Sequence, residues 1–138
     1  MTQSEIRSEG MVIFNRASSV AEIPIQTQPG HEHDQGWTTR LVNTAINGSP
    51  DLLVSILRLA PNQFHPAHFH PDLGELYFVL EGSCEIRAGA EVNWVRAGTA
   101  IYTPKGTAHS IRTKDEGVKV LIVFPEGDLG KIRKVWVD

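Results

Sequence analysis

The chain has 138 residues, of which 41% are hydrophobic and 21% are charged, and its formal net charge is −3 at pH 7. This composition excludes disordered, fibrous and collagen-like chains, and the length suits one domain that buries roughly 68 to 70% of its unfolded surface. Because the charge is weak and forms no long runs, we expect no nucleic-acid partner and favour a small organic molecule as the ligand.

Residues 1–10 mix charged and polar side chains without an apolar segment, so we expect no secretory signal and poor order there. No stretch approaches the roughly 20 apolar residues of a membrane span, which predicts a cytoplasmic protein without a membrane partner. Cys84 is the only cysteine. An internal disulfide and a thiolate zinc site are therefore excluded, and a metal ion would need histidine and carboxylate ligands.

The first part of the chain offers only weak strand candidates, at residues 12–14, 23–25 and 37–42. The last two are separated by the polar segment QTQPGHEHDQG, which we interpret as a loop. This loop carries a His-x-His pair, His31 and His33. The pair is either solvated or folded over the mouth of a barrel as a lid or proton relay, and the sequence leaves both interpretations open.

From residue 52 onward, short apolar segments alternate with turn-forming residues about every ten positions, which is typical of an all-β sandwich or barrel. The predicted strands are residues 52–59, 75–80, 84–87, 91–95, 99–103, 109–112 and 118–124. The tail KIRKVWV is either a last strand or a short amphipathic turn. We find no repeat or linker, which predicts one domain over residues 1–138 with its barrel at 52–124.

Histidines are concentrated in the predicted barrel. On a strand, His68 and His70 would point to the same face, roughly 6.6 Å apart along the backbone. A hairpin returning from His70 would bring the carboxylate of Glu75 back toward this pair. His109 lies far away in sequence, just after a Pro-x-Gly turn, and would join the others only through folding. A His-x-His pair alone is weak evidence for a metal site.

The complete spacing is more specific. His68-x-His70 is followed by Glu75 and Gly82, and then Gly98 and Pro104-x-Gly106 precede His109. This arrangement, over residues 62–113, resembles the two conserved motifs of the cupin superfamily. Two positions depart from the family pattern, with Asn62 in place of glycine and Thr113 in place of asparagine. Asparagine tolerates the left-handed backbone conformation that a turn needs, so we expect the turn at Asn62 to persist.

The resemblance implies a single-domain cupin β-barrel of the double-stranded, jelly-roll-like kind, and a homodimer. It also implies one divalent transition metal held by His68, His70, Glu75 and His109. Three imidazoles and one carboxylate suit Fe(II), Mn, Ni, Cu, Co or Zn, and we favour Fe(II).

Enzymes and binding proteins both occur on this scaffold, so function must be argued from the site. We expect a metal-dependent enzyme of the dioxygenase type, an oxidoreductase, acting on a small oxygen-rich organic molecule. Two alternatives remain, a non-redox isomerase, lyase or cyclase and a small-molecule-binding cupin without turnover.

Three further residues are candidate catalytic groups. Tyr77 shares the face of Glu75 by strand alternation, and Tyr102 leads into the turn before His109. Both are equally explained as barrel aromatics. His65 lies an odd number of positions from His68, which directs it to the opposite face unless Pro66 causes a bulge. Packing is the simpler interpretation of His65, and a general base is the alternative.

Overall fold

The computed structural model describes residues 9–137, and the described chain is nearly all β. One short helix, α1 (Thr44–Asn47), and three single-turn 3-10 helices (Ala17–Ser19, Ile25–Thr27, Leu129–Lys131) accompany the strands. Within residues 9–137 no helix has the length and apolar character needed to cross a membrane. The strands are β1 (Ile23–Pro24), β2 (Trp37–Val42), β3 (Leu53–Leu59), β4 (Phe64–Phe69), β5 (Glu75–Ala88), β6 (Glu91–Arg96), β7 (Ala100–Thr103), β8 (His109–Arg112), β9 (Val118–Phe124) and β10 (Val135–Trp136).

The strands form two antiparallel sheets that share β5. One sheet has the order β1-β2-β3-β9-β5-β7, and the other has the order β10-β4-β8-β5-β6. Inward-facing side chains of both sheets form the core. On β3, for example, every second residue from Leu53 to Leu59 is buried. The all-β barrel expected from the sequence is confirmed.

The predicted strands 75–80 and 84–87 are in fact one strand of 14 residues. The prediction of a break at Gly82 was wrong because this glycine bends β5 without ending it. Its φ is 76°, and the pairing register with β9 shifts between Val79 and Glu81. A Cβ atom at Gly82 would lie 2.0 Å from the carbonyl oxygen of Gly117, so only glycine fits this close approach. The bend carries β5 from one sheet into the other.

The two departures from the family motifs keep the local turn intact. Asn62 has φ 57° and is the only non-glycine residue with positive φ in the part of the chain that the structure describes. The Thr113 hydroxyl donates to the carbonyl oxygen of Ala60 at 2.6 Å and accepts from the Gln63 amide at 3.0 Å. Thr113 therefore ties β8 to the turn that precedes β4.

Three segments differ from the sequence-based expectation. Residues 12–14 form no strand, and the side chains of Val12 and Phe14 are 85% and 97% exposed. Strand β4 was not among the predicted strands, because Pro66 and two histidines conceal its pattern. The tail forms β10 and pairs with β4. Residues 1–8, where poor order was expected, lie outside the described part of the chain.

Candidate metal centre

Four side chains from three parts of the chain converge at one end of the barrel. His68 lies on β4 directly opposite His109 at the start of β8. His70 follows β4, and Glu75 begins β5. All four are buried, and each offers one ligand atom within 4.8 Å of the others. We call these residues the four-residue site.

Backbone carbonyls fix the orientation of each imidazole. Nδ1 of His68 lies 2.9 Å from the Pro66 carbonyl oxygen, and Nδ1 of His109 lies 3.0 Å from that of Thr107. Nδ1 of His70 lies 2.8 Å from the carbonyl oxygen of Arg133. A carbonyl oxygen only accepts, so each Nδ1 must carry the proton and donate it. Each Nε2 then keeps a free lone pair, which is the arrangement found in histidine metal ligands.

Two buried acceptor atoms face each other in the four-residue site. Glu75 Oε1 lies 2.9 Å from Nε2 of His109 and 3.5 Å from Nε2 of His70. Among the described residues, neither Glu75 Oε1 nor His109 Nε2 has a hydrogen-bond donor. Burial lowers the pKa of His68 and His70 below the ordinary value, which favours neutral imidazoles. Lone pairs without a donor leave a place for a cation, so the residues fit a divalent metal ion.

Glu75 reaches the histidines by a route that the sequence analysis did not foresee. The expected hairpin between the segment of His70 and β5 does not form, because β4 pairs with β8 and β10. The first residues of β5 pair with β7 and β9 in the opposite sheet. The carboxylate of Glu75 therefore approaches the imidazoles from across the barrel interior.

Tyr77 lies on the inner face of β5, on the side that strand alternation from Glu75 predicts. Its side chain is 1% exposed, and its ring centroid lies 5.7 Å from that of His109. Burial, together with the nearby carboxylate of Glu75, raises the pKa of Tyr77 well above its ordinary value. The phenol therefore stays protonated. Its catalytic role stays a prediction.

The interpretation of Tyr102 as a pocket residue was wrong. Tyr102 pairs with Leu76, next to Glu75 on β5, and so lies on the outer face of the sheet. Its side chain is 68% exposed. His109, which follows the turn after β7, belongs to the four-residue site. The alternation of side chains along β7 instead directs Tyr102 to the outer face.

His65 lies inside the barrel because the bulge that Pro66 made conceivable is present. The pairing register between β4 and β8 shifts between His65 and His68, so both residues face inward. The ring of His65 is 8% exposed, and its centroid lies 4.9 Å from that of His68. His65 is therefore a neighbour of the four-residue site.

A pocket of about 730 Å³, its open mouth included, opens beside the four-residue site. Its wall includes His68, His70 and Glu75. Apolar side chains form much of the remaining wall, namely Ile25, Leu53, Leu57, Ile122, Phe124 and Leu129. Polar side chains complete it, among them Gln28, Thr38, Arg40, Asn43 and Ser55.

A protein-family model described as the cupin domain matches residues 55–124, half of the chain. The chain is a cupin. The matched segment contains the whole four-residue site and every strand from β4 to β9.

Two relatives and one solved structure show how varied similar proteins are. The uncharacterized protein SCO3923 of Streptomyces coelicolor is 40% identical over 50 residues, which are 36% of this chain and 48% of that protein. An oxalate decarboxylase of Arthroderma benhamiae is 29% identical over 102 residues, which are 70% of this chain and 24% of that protein. This cupin thus spans about half of the first relative and a quarter of the second.

The polyketide cyclase RemF of Streptomyces resistomycificus has a similar structure. The TM-score is 0.74 at 24% identity, and the alignment covers 93% of this chain and 88% of RemF. At this identity the likeness shows the cupin fold alone. The chemistry of this cupin must therefore be argued from its own side chains.

The cupin pocket contains a second polar group of residues that the sequence analysis did not assemble. Asp34, from the loop before β2, is 2% exposed. Its carboxylate lies 3.1 Å from Nδ1 of His31 and 2.5 Å from Nε2 of His65, and it pairs with the ammonium of Lys134. We call His31, Asp34, His65 and Lys134 the Asp34 cluster.

Several forces set the charge of the Asp34 cluster. Burial opposes ionisation of Asp34, but the hydrogen bond from His31, the adjacent His65 ring and the charge of Lys134 outweigh it and hold the pKa of Asp34 far below the ordinary value. Burial lowers the pKa of Lys134, and Asp34 acts in the opposite direction. Asp34 is therefore a buried carboxylate anion. The polar loop does fold over the barrel, through His31 and Asp34.

No spacing rule connects the members of the Asp34 cluster, because 100 positions separate Asp34 from Lys134. The only local signals in the sequence were Asp34, three positions after His31, and Lys134, two positions before Trp136. Strand alternation places Lys134 and Trp136 on one side of the tail, and the Lys134 ammonium lies 4.2 Å from the Trp136 ring centroid.

Proposed function

We propose that this cupin is a metal-dependent enzyme acting on a small organic molecule that has an apolar body and two neighbouring oxygen atoms, such as an enol, a hydroxyketone or a carboxylate. The observation that carries this proposal is the four-residue site opening into a largely apolar pocket. Three imidazoles and one carboxylate leave coordination positions for the oxygen atoms of a ligand.

The pocket favours a larger substrate than a compact dianion such as oxalate. Apolar side chains from β3 and β9 form one wall, and a ligand gains affinity by covering such a surface. Two wall residues that border the four-residue site are His65 and Phe124, whose ring centroid lies 4.9 Å from that of His70. An apolar body would exclude water from this region.

For the reaction type, we favour proton-transfer chemistry, as in a cyclase, isomerase or lyase. A bound metal ion would supply Lewis-acid polarisation of the substrate oxygen atoms. The observation in favour of this type is the presence of His31, His65 and Lys134 on the pocket wall. Such protonatable groups can hold or deliver protons beside a polarised oxygen atom.

The dioxygenase-type reaction is the second candidate function, supported by the suitability of this donor set for redox-active ions such as Fe(II). A measurement of turnover in the absence of O₂ distinguishes the two reaction types. Protein loaded with Zn(II) and screened anaerobically against enolisable aromatic ketones should convert its substrate if the first type is right. Turnover that requires both Fe(II) and O₂ would instead establish the oxygenase.

The metal site itself is tested by elemental analysis of untagged protein expressed with balanced metals. Wild-type protein should hold about one ion per chain, and a Glu75→Ala/His109→Ala double variant should hold less than about one tenth of that. His33→Ala is the matched control, because His33 is an exposed histidine outside the four-residue site. Equal metal content in the wild type and the double variant would refute the site.

The homodimer expected from the family resemblance stays a proposal. It is supported by the exposure of Val12 and Phe14 in an apolar segment, residues 11–14, that forms no strand. Sedimentation equilibrium should give twice the chain mass, and a Val12→Asp/Phe14→Asp variant should give a monomer. A wild-type monomer would contradict the proposal.

A further inference from the structure

Lys134 places an ammonium group on the wall of the pocket that holds the four-residue site. Its side chain is 9% exposed and pairs with the fully buried carboxylate of Asp34. His65 stands between the two polar groups, with Nε2 3.3 Å from the Lys134 ammonium and its ring against that of His68. The positive charge therefore lies one side chain away from the four-residue site.

The ammonium has one hydrogen-bond donor to spare. It carries three N–H groups, and the carboxylate of Asp34 accepts from one of them. Nε2 of His65, 3.3 Å away, is a second acceptor. Nδ1 of His31 also lies 3.3 Å away, but it donates to the Asp34 carboxylate and therefore does not accept from Lys134. Within the described residues, the third N–H group of Lys134 remains for a molecule in the pocket.

Stability does not explain why this charge is buried. Removing an ammonium and a carboxylate from water is costly, and an apolar pair of similar volume is often at least as stable as a buried ion pair. A buried charge that borders a binding pocket is instead typical of a ligand-binding group.

We propose that Lys134 is a substrate-binding residue that donates a charge-assisted hydrogen bond to an anionic oxygen of the substrate. The inference rests on the proposed function and narrows its substrate class. The preferred substrate has an apolar, ring-sized body and a carboxylate, enolate or phenolate group directed toward Lys134. Neutral molecules of the same shape bind more weakly, because the ammonium then loses hydration without gaining a charged partner.

Two probes of the same shape, one anionic and one neutral, test this inference. Binding of 2-naphthoate and 2-naphthamide to the metal-loaded protein is measured by isothermal titration calorimetry, with metal content determined on the same samples. The variants are Lys134→Met and Asp34→Asn/Lys134→Met, since the second removes both charges and avoids an unpaired buried carboxylate. Lys119→Met is the matched control, because Lys119 is a half-exposed lysine paired with Glu81 on the outer surface.

Wild-type protein should prefer 2-naphthoate, and both Lys134 variants should lose about 10- to 150-fold in affinity for it. Their affinity for 2-naphthamide and their metal content should stay within about threefold of wild type, and Lys119→Met should resemble wild type. The inference is overturned if wild type shows no preference for the anion, if the preference survives in a folded double variant, or if both probes weaken equally.

The same data separate this inference from the proposed function. A protein that binds no metal ion but shows the Lys134-dependent preference would overturn the proposed function alone. A protein with full metal content and no dependence on Lys134 would overturn the inference alone.

Discussion

The four-residue site and the Asp34 cluster are neighbouring groups of polar residues, and they differ in how their charges are balanced. In the four-residue site, the lone pairs of Glu75 and His109 face each other at 2.9 Å, and residues 9–137 supply no donor to them. In the Asp34 cluster, one buried carboxylate is surrounded by three basic groups. The first group therefore needs a cation from outside the chain, whereas the second supplies its own. Burial does not distinguish the two groups, because both carboxylates are buried, whereas their charge balance does.

The largest expected change in the free energy of unfolding comes from removing the ammonium group of the Asp34 cluster. Lys134→Met leaves Asp34 as a buried carboxylate without its cation, which should lower the free energy of unfolding by about 3 kcal/mol. This is the lower end of the usual range for breaking a buried ion pair, because His31 still donates to the carboxylate and Nε2 of His65 lies 2.5 Å from it. Urea unfolding measures the effect. Asp34→Asn/Lys134→Met should recover most of the loss, and no recovery would show that packing, not charge, dominates.

The complementary experiment adds a cation for the four-residue site to bind. Zn(II) at about 100 times its dissociation constant should raise the free energy of unfolding by about 2.7 kcal/mol. Glu75→Ala should abolish this gain, whereas Asp34→Asn should retain it. Chelator-treated protein with and without metal gives the comparison by thermal unfolding. A similar loss of the gain in both variants would mean that the two groups act as one site.

A smaller expected effect is the pH dependence that the Asp34 cluster gives to the free energy of unfolding. The pKa of Asp34 is lowered in the folded state from an ordinary value of 3.8, so the unfolded chain binds the proton more readily. Its stabilising contribution is complete above that ordinary value and is lost as the pH falls through it. Between about pH 5 and pH 3, wild type should lose up to about 1.4 kcal/mol per pH unit more than Asp34→Asn. Parallel urea-unfolding curves for the two proteins would contradict the ionised cluster.

The smallest effect is expected outside the pocket. Tyr102→Phe removes a hydroxyl from a ring that is 68% exposed on the outer face, so the free energy of unfolding should change by less than about 0.5 kcal/mol. Metal content and the affinity for 2-naphthoate should equal those of wild type. A clear loss of metal content or of affinity would indicate that Tyr102 contributes to the pocket. It would contradict the outward orientation of this side chain on β7.

The sequence was sufficient for the four-residue site because the spacing of its members matches the two cupin motifs. Strand alternation, glycine and proline positions and the His-x-His spacing all predict the same barrel. Even the replacement of a motif glycine by Asn62 was interpretable, since asparagine tolerates the positive φ that this position has. Strand β8 was predicted with its observed bounds, which fixed the place of His109.

The remaining errors arise where tertiary contacts override local pattern. Gly82 was interpreted as a strand end, but the neighbouring backbone of Gly117 uses its lack of a Cβ atom for a bend. The bulge at Pro66 changes which face His65 occupies, and no single-residue rule predicts it. Lys134 and Asp34 meet only after the barrel has closed, so no local periodicity records their pairing.

The hydrogen bond from His70 to the carbonyl oxygen of Arg133 has a consequence for biosynthesis. These partners are 63 positions apart, and β10 places the second one. During translation, the imidazole of His70 is thus without its orienting acceptor until the segment around residue 133 has left the ribosome, although the other ligand residues have already emerged. We therefore expect the four-residue site to reach its final geometry only after the barrel strands and the segment around residue 133 have all been synthesised.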